Sequence, residues 1–253
     1  MELTGLADKT ALVTGASRGI GRAIAVVLAQ AGARVVCCAR SQEQLQELCA
    51  QIRAQGGQAL AAPADVAQPQ DRRRVIEQAA GAWGSLDILV NNAGIHAEKP
   101  ALELSDQELS RVMEVNFFSM FALARDAAPH MIKAGGGRIV NMGSFWGQKG
   151  VSRQLPYCVS KTAVEAMTRC LAVEWARYNI QVNTVAPGHI LTEISKPALE
   201  DEKIGKDILR RIPARRVGEA EEVAYLTAFL CSDQARYLTG HLYYIDGGQA
   251  IAW

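Results

Sequence analysis

The stretch from Thr10 to Ala31 restricts the fold of this chain more than any other. Thr10-Ala-Leu-Val-Thr14 is a short apolar run that stops at a glycine cluster, Gly15-Ala-Ser-Arg-Gly19-Ile-Gly21, and an Ala/Ile/Val/Leu-rich helical pattern follows at once. A short run that is apolar at every position reads as a strand buried on both faces. The glycines permit a tight turn, and a helix opening straight after it brings backbone N–H groups and a helix N-terminus to the strand's end. That arrangement suits a pyrophosphate. The spacing is G-x-x-x-G-x-G rather than G-x-G-x-x-G, but the same physics applies.

The strand-and-helix pattern then repeats. Arg34 to Ala39 reads as a second strand, and Ser41 to Gln44 as a capping box opening a helix. A third strand over about 58–62 leads to Asp65-Val66, and a helix spans about 69–82. Leu86 to Val90 reads as a fourth strand ending in Asn91-Asn92-Ala93-Gly94. A second capping box, Ser105 to Glu108, opens a long helix that carries Asn116 and is expected to bend near Pro129. Arg138 to Met142 is a fifth strand with Ser144 just past its end. A helix begins near Pro156, a sixth strand covers 181–185 before Ala186-Pro187-Gly188, and a helix near 219–232 precedes a last strand over 242–245. Alternation with short connections implies an α/β fold, a doubly wound parallel sheet with helices on both faces. One domain is expected over 1–253. Residues 191–217 break the rhythm with a dense mixture of charges and are read as a mobile cover over the site.

Two patterns carry chemistry. Tyr157 and Lys161 are four apart on the helix that Pro156 opens, so phenol and ammonium share one face. A cation beside a phenol favours the phenolate, and a tyrosine tuned that way exchanges a proton with a carbonyl or an alcohol. The second strand ends in Ala39-Arg40, where an acid would hold a ribose 2′-hydroxyl; a cation there, with Arg18 in the glycine turn, suits a 2′-phosphate. The expected cofactor is therefore NADP(H) rather than NAD(H). The net charge of +1 gives no reason to expect nucleic acid or an anionic membrane as partner. Six cysteines without a C-x-x-C pair, and an N-terminus without a signal pattern, point to the cytoplasm. No stretch is apolar for long enough to span a bilayer, and the four scattered histidines suggest no metal.

In order along the chain, these segments resemble the short-chain dehydrogenase/reductase family over essentially the whole length, most like its 3-oxoacyl-[acyl-carrier-protein] reductases. The resemblance implies a Rossmann-type sheet of seven parallel strands and a homotetramer or homodimer. It makes Gly15, Ser17, Arg18, Gly19, Ile20 and Gly21 the cofactor loop, and Asp65 and Val66 the adenine contact. Asn92, Ala93 and Gly94 belong to its sheet-stabilising motif, and Pro187, Gly188, Ile190 and Thr192 to its nicotinamide contact. Asn116, Ser144, Tyr157 and Lys161 fall at its catalytic positions, and Tyr157 and Lys161 also face the cofactor. The implied reaction is hydride exchange between a nicotinamide and a ketone or secondary alcohol. Tyr157 gives the proton, Ser144 holds the oxygen, Lys161 tunes the tyrosine and holds the ribose, and Asn116 anchors a water.

The remaining features leave the substrate open. His96 and His189 follow pocket motifs but are expected to be bystanders. Phe145 and Trp146 are either a substrate wall or packing beneath the cover. Trp253 and its apolar neighbours suggest a subunit contact. A 3-oxoacyl thioester, a sugar acid, polyol or xenobiotic alcohol, and a non-catalytic cofactor sensor all remain as readings. Ala134 to Gly137 and the Tyr178-Asn179 turn lack the cations expected for an acidic carrier protein.

Overall fold

The computed structural model describes residues 3–193 and 195–252; Trp253, expected at a subunit contact, lies outside the described residues. In chain order the elements are β1 (Thr10–Thr14), α1 (Gly19–Gln30), β2 (Arg34–Ala39), α2 (Gln42–Ala54), β3 (Gln58–Pro63), α3 (Pro69–Ala82) and β4 (Ile88–Asn91). Then come α4 (Asp106–Met113), a π-helical turn (Glu114–Phe118), α5 (Ser119–Lys133), β5 (Gly137–Met142), α6 (Leu155–Trp175) and β6 (Ile180–Pro187). The chain closes with β7 (Ile190–Leu191), α7 (Lys196–Glu200), α8 (Glu202–Arg210), β8 (Gly218–Glu219), α9 (Ala220–Cys231) and β9 (Leu242–Ile245).

Seven strands pair in the order β3-β2-β1-β4-β5-β6-β9, every pair parallel. Side chains alternate across the sheet. Ala11 and Val13 of β1 face a layer built from α1, α2 and α9, while Leu12 faces one built from α3, α5 and α6. Burial on both faces is why the strands read as unbroken apolar runs. The chain reverses its direction of winding between β1 and β4, and in such sheets ligands bind beyond the strand C-termini at that point.

Three polar side chains cross the middle of the sheet at one level. Asn91 donates through Nδ2 to Asn141 Oδ1 (2.9 Å), Asn141 Nδ2 to Thr168 Oγ1 on α6 (2.9 Å), and Thr184 Oγ1 to the same hydroxyl (2.8 Å). All four residues are buried. Asn91 and Asn141 are register partners, as are Asn141 and Thr184, so the network ties β4, β5 and β6 to α6.

Some local expectations change. Of the Ser41 capping box only the forward half forms, Ser41 Oγ accepting from Gln44 N, whereas the Ser105–Glu108 box is complete. The long helix through Asn116 is not continuous. A π-helical turn separates α4 from α5, and α5 runs through Pro129. The extra residue in that turn rotates Asn116 inward. The 191–217 excursion contains α7 and α8, and the β7–β8 pair (Ile190 with Gly218) joins its two ends. No described helix is long and apolar enough to cross a membrane.

Replacing Asn141 by leucine leaves the Asn91 amide and the Thr168 hydroxyl without their shared partner. We expect a loss of roughly 2–4 kcal/mol in urea unfolding. A loss below roughly 1 kcal/mol would mean that the network adds nothing to the sheet.

Candidate active site

The glycine turn is held from the neighbouring strand. Thr14 Oγ1 accepts from the backbone N–H groups of Asn92 (3.0 Å) and Ala93 (3.1 Å), and Asn92 Nδ2 donates to the carbonyls of Thr14 (3.0 Å) and Gly15 (3.2 Å). This clamp leaves no room for a side chain at Gly21, where a Cβ would lie 2.2 Å from Gly15 O and 2.4 Å from Asn92 Nδ2. Gly15 itself has φ +66°, in the left-handed region. Arg18 occupies the N-cap of α1 without a side-chain capping bond, so the first N–H groups of the helix, from Gly19, Ile20 and Gly21 with Ser17 just before, face outward uncapped. Arg18 and Arg40 are exposed, and their side chains join no ion pair among the described residues.

The other expected cofactor residues lie along the same edge. Val66 is buried, and Asp65 Oδ1 accepts from Ala67 N at 3.0 Å, with Arg111 3.6 Å from Oδ2. Gly94 stands beside the catalytic group: a Cβ on it would lie 3.4 Å from Asn116 Oδ1 and 3.8 Å from Lys161 Nζ. Pro187 ends β6, Gly188 N donates to Ile245 O on β9 (3.0 Å), and Ile190 is buried in β7. Thr192 reaches back to the glycine turn, its Cγ2 3.2 Å from where a Gly19 Cβ would stand.

All four expected catalytic residues converge. Ser144, two residues beyond β5, caps a short 3₁₀ turn over Phe145–Gln148 by accepting from Trp146 N (3.2 Å), and its hydroxyl, beside the Tyr157 phenol, acts to lower the phenol's pKa. Lys161 follows one turn after Tyr157 on α6, with its Nζ 5.5 Å from the centre of the Tyr157 ring and donating to Met142 O at 2.7 Å. Asn116 accepts from Ile95 N (2.8 Å) and donates to Ile95 O (2.9 Å) and Ser160 Oγ (3.1 Å). Both amide hydrogens are thus committed, which pins the loop after β4 against α6.

The electrostatics correct one expectation. Lys161 does not push the Tyr157 phenol below its ordinary value; burial raises it, and the Ser144 bond only partly offsets the rise. Lys161 is itself destabilised as a cation, burial bringing it down to about 8. In this site both groups are driven toward their neutral forms.

The substrate side holds residues that the sequence reading set aside. His96 lies edge-on to Tyr157 with ring centres 5.3 Å apart, and Trp146 meets the same ring at 5.9 Å. His189 packs 5.4 Å from Phe145 and 6.2 Å from Trp146. His96 thus packs against the phenol itself, and His189 joins the same aromatic cluster through Phe145 and Trp146. Gln249, 4% exposed, anchors His189 and was not foreseen. Its partner is 60 residues away in the chain, and no local pattern marks it.

The buried ammonium makes stability depend on pH in a definite direction. Lys161 has a value of about 8 when folded against an ordinary 10.5. Between these the unfolded chain binds the extra proton, so stability rises with pH, and it is lost as pH falls toward 8. The difference in unfolding free energy, wild type minus Lys161→Met, should rise by roughly 3 kcal/mol across that range. Chemical denaturation at several pH values measures it, and a flat difference would mean that Lys161 keeps an ordinary value.

Comparison with known proteins agrees with this geometry. Residues 15–250 match the family described as Enoyl-(Acyl carrier protein) reductase. A tropinone reductase homologue of Arabidopsis thaliana is 40% identical over 247 residues, 97% of this chain and 94% of that protein. The 5-keto-D-gluconate 5-reductase of Escherichia coli is 35% identical over 251 residues, 99% of each. The 3-oxoacyl-[acyl-carrier-protein] reductase of the same species is 39% identical over 240 residues, 95% of this chain and 96% of that one. Among solved structures, a 7α-hydroxysteroid dehydrogenase complexed with NADH and 7-oxo glycochenodeoxycholic acid superposes with TM-score 0.93 at 35% identity, covering 96% and 94%. One from Agrobacterium tumefaciens with bound NADP, named for a 2-deoxy-D-gluconate 3-dehydrogenase, gives 0.90 at 39%, covering 96% and 97%. With its sheet order, its glycine turn and its Ser-Tyr-Lys cluster, the chain belongs to the short-chain dehydrogenase/reductase family of oxidoreductases.

Proposed function

We propose that this protein is an NADP(H)-dependent oxidoreductase that interconverts a ketone and a secondary alcohol. The observation that carries the reading is the meeting of Ser144, Tyr157 and the buried Lys161 at the strand edge next to an uncapped helix N-terminus. The residues present fit a dinucleotide. The tight glycine turn, packed at Gly15 and Gly21 against Asn92 and Ala93, leaves the α1 N–H groups to receive a pyrophosphate's charge, and Arg18 and Arg40, which join no ion pair among the described residues, would meet a 2′-phosphate. Asp65 and Val66 would border the adenine, and Gly94, Pro187, Gly188, Ile190 and Thr192 the nicotinamide half. When bound, the nicotinamide supplies or accepts the hydride.

The protein's part is proton transfer and charge placement. Burial keeps the Tyr157 phenol protonated, which makes it a donor suited to a carbonyl oxygen as negative charge develops there. Ser144 holds that oxygen with a hydrogen bond that tightens in the transition state. Lys161, close to losing its own proton, resupplies Tyr157, and a water on the remaining lone pair of Asn116 Oδ1 would connect Lys161 to solvent. The 191–217 excursion is read as the cover that excludes bulk water during this step.

A 3-oxoacyl thioester is the second reading, supported by the 39% identity to the E. coli enzyme. Against delivery by an acidic carrier, Ala134 to Gly137 and Tyr178-Asn179, joined by bonds of Asn179 to Gly135 and Gly137, carry no cation themselves.

Two measurements test the proposal. Tyr157→Phe should lower kcat for ketone reduction by about 10²–10⁴-fold while NADPH still binds, as fluorescence titration would show; near-normal turnover would remove Tyr157 from the proton-donor role. Arg40→Ser should shrink the ratio of kcat/KM for NADPH over NADH by about tenfold, the value of one charge-assisted hydrogen bond. A wild-type preference for NADH would overturn the cofactor assignment.

A further inference from the structure

The turn after β9 places one amide with unusual care. Asp246 accepts from Gly248 N through Oδ1 (2.9 Å) and from Ala250 N through Oδ2 (2.6 Å), while its carbonyl accepts from Gln249 N (3.2 Å). The bracket seats the Gln249 side chain against the turn that follows β6. Gly188 makes the approach possible, since a Cβ there would stand 2.6 Å from Gln249 Oε1. The backbone carbonyl of Gln249 also accepts from Lys149 Nζ at 2.5 Å, tying the Trp146 turn to the same point.

The hydrogen bonds then fix the imidazole of His189. Gln249 Oε1 accepts from His189 N at 3.0 Å; a backbone N–H can only donate, so the amide oxygen must face it. The amide nitrogen lies 2.9 Å from His189 Nδ1. It satisfies its hydrogen there only if Nδ1 is unprotonated. The other tautomer, with Nδ1–H directed at Oε1 (3.1 Å), would press two N–H groups together. The ring proton is therefore on Nε2, and burial keeps the imidazole neutral. Among the described residues Nε2–H finds no acceptor. Trp146 packs against both rings, 6.2 Å from the His189 ring and 5.9 Å from the phenol ring.

We propose that Gln249 is a positioning residue that fixes His189 as an Nε2–H donor, and that this donor recognises a second oxygen of the substrate, carried beyond the reacting carbonyl along the face of Trp146. Resting on the ketone-reductase reading, the proposal narrows the substrate to oxygenated ketones, hydroxy ketones or keto acids, over plain alkyl ketones. A site built around a buried donor discriminates strongly against analogues lacking the acceptor, because the donor is then left unpaired.

Two independent measurements decide the matter. In the ¹⁵N spectrum of labelled protein at neutral pH, His189 should carry its proton on Nε2. Gln249→Glu keeps an acceptor for His189 N but cannot donate to Nδ1, so it should move the proton to Nδ1. With NADPH, the ratio of kcat/KM for 5-keto-D-gluconate over cyclohexanone should fall by ~10-fold or more in both Gln249→Glu and His189→Phe, the loss appearing in KM rather than kcat. A wild-type His189 protonated on Nδ1, or an unchanged ratio in both variants, overturns the proposal. Failure of both ketones to oxidise NADPH would instead sink the reductase reading, and the tautomer would then decide this one alone.

Discussion

The ammonium of Lys161 is the group around which the rest is arranged. It is 3% exposed, lies inside a helix, and has no carboxylate partner among the described residues. A charge in that position is costly unless it is hydrogen-bonded, and Met142 O at the end of β5 supplies the bond. The surrounding elements are placed by the same requirement. The π-helical turn brings Asn116 within reach of Ile95 and Ser160, so the loop after β4 closes over one side of the lysine. Ser144 and Tyr157 close the other side. A site that holds a lysine near its neutral form sacrifices stability at neutral pH, a trade expected where a proton must move.

The sheet supplies the rigidity that such a site needs. Asn91, Asn141, Thr168 and Thr184 link three central strands to α6, the helix that carries Tyr157 and Lys161. Just past the end of β4, Asn92 holds the glycine turn. The dipeptide Asn91-Asn92 therefore braces two separate parts of the strand edge. Asn91, still in β4, reaches through Asn141 toward α6, while Asn92, just beyond the strand, turns to the glycine turn.

Cofactor and substrate sides are built differently. The side proposed for the cofactor consists of backbone at strand ends, with glycines that let the turn pack closely on Asn92 and Ala93. The side proposed for the substrate is assembled from side chains of four separate loops, represented by His96, Trp146, His189 and Gln249. The names of relatives at 35% identity pair them with ketones as unlike as a bile-acid derivative and a sugar acid. Such variety is expected where function is set by loops on a common frame.

Element positions were legible from sequence because strands buried on both faces leave unbroken apolar runs and the helices between them carry caps and periodicity. The Ser144–Tyr157–Lys161 group was legible for a related reason. Two of its members share a helix face, and the third follows a strand end on the same edge. Other features could not be read. The break in the helix at Asn116 depends on bonds to Ile95 and Ser160, which adjoin it only in space. The direction of the Tyr157 shift went the other way because spacing reveals a neighbouring charge but not the loss of water around it. The Gln249–His189 contact spans 60 residues and rests on the absence of a side chain at Gly188. The sequence by itself determined the order of elements, the edge at which they deliver their chemistry and the residue types that perform it, since these follow from local periodicity and turn chemistry. Only the tertiary structure decided which groups are dry and which distant loops touch, because desolvation and long-range contact arise when the chain closes on itself.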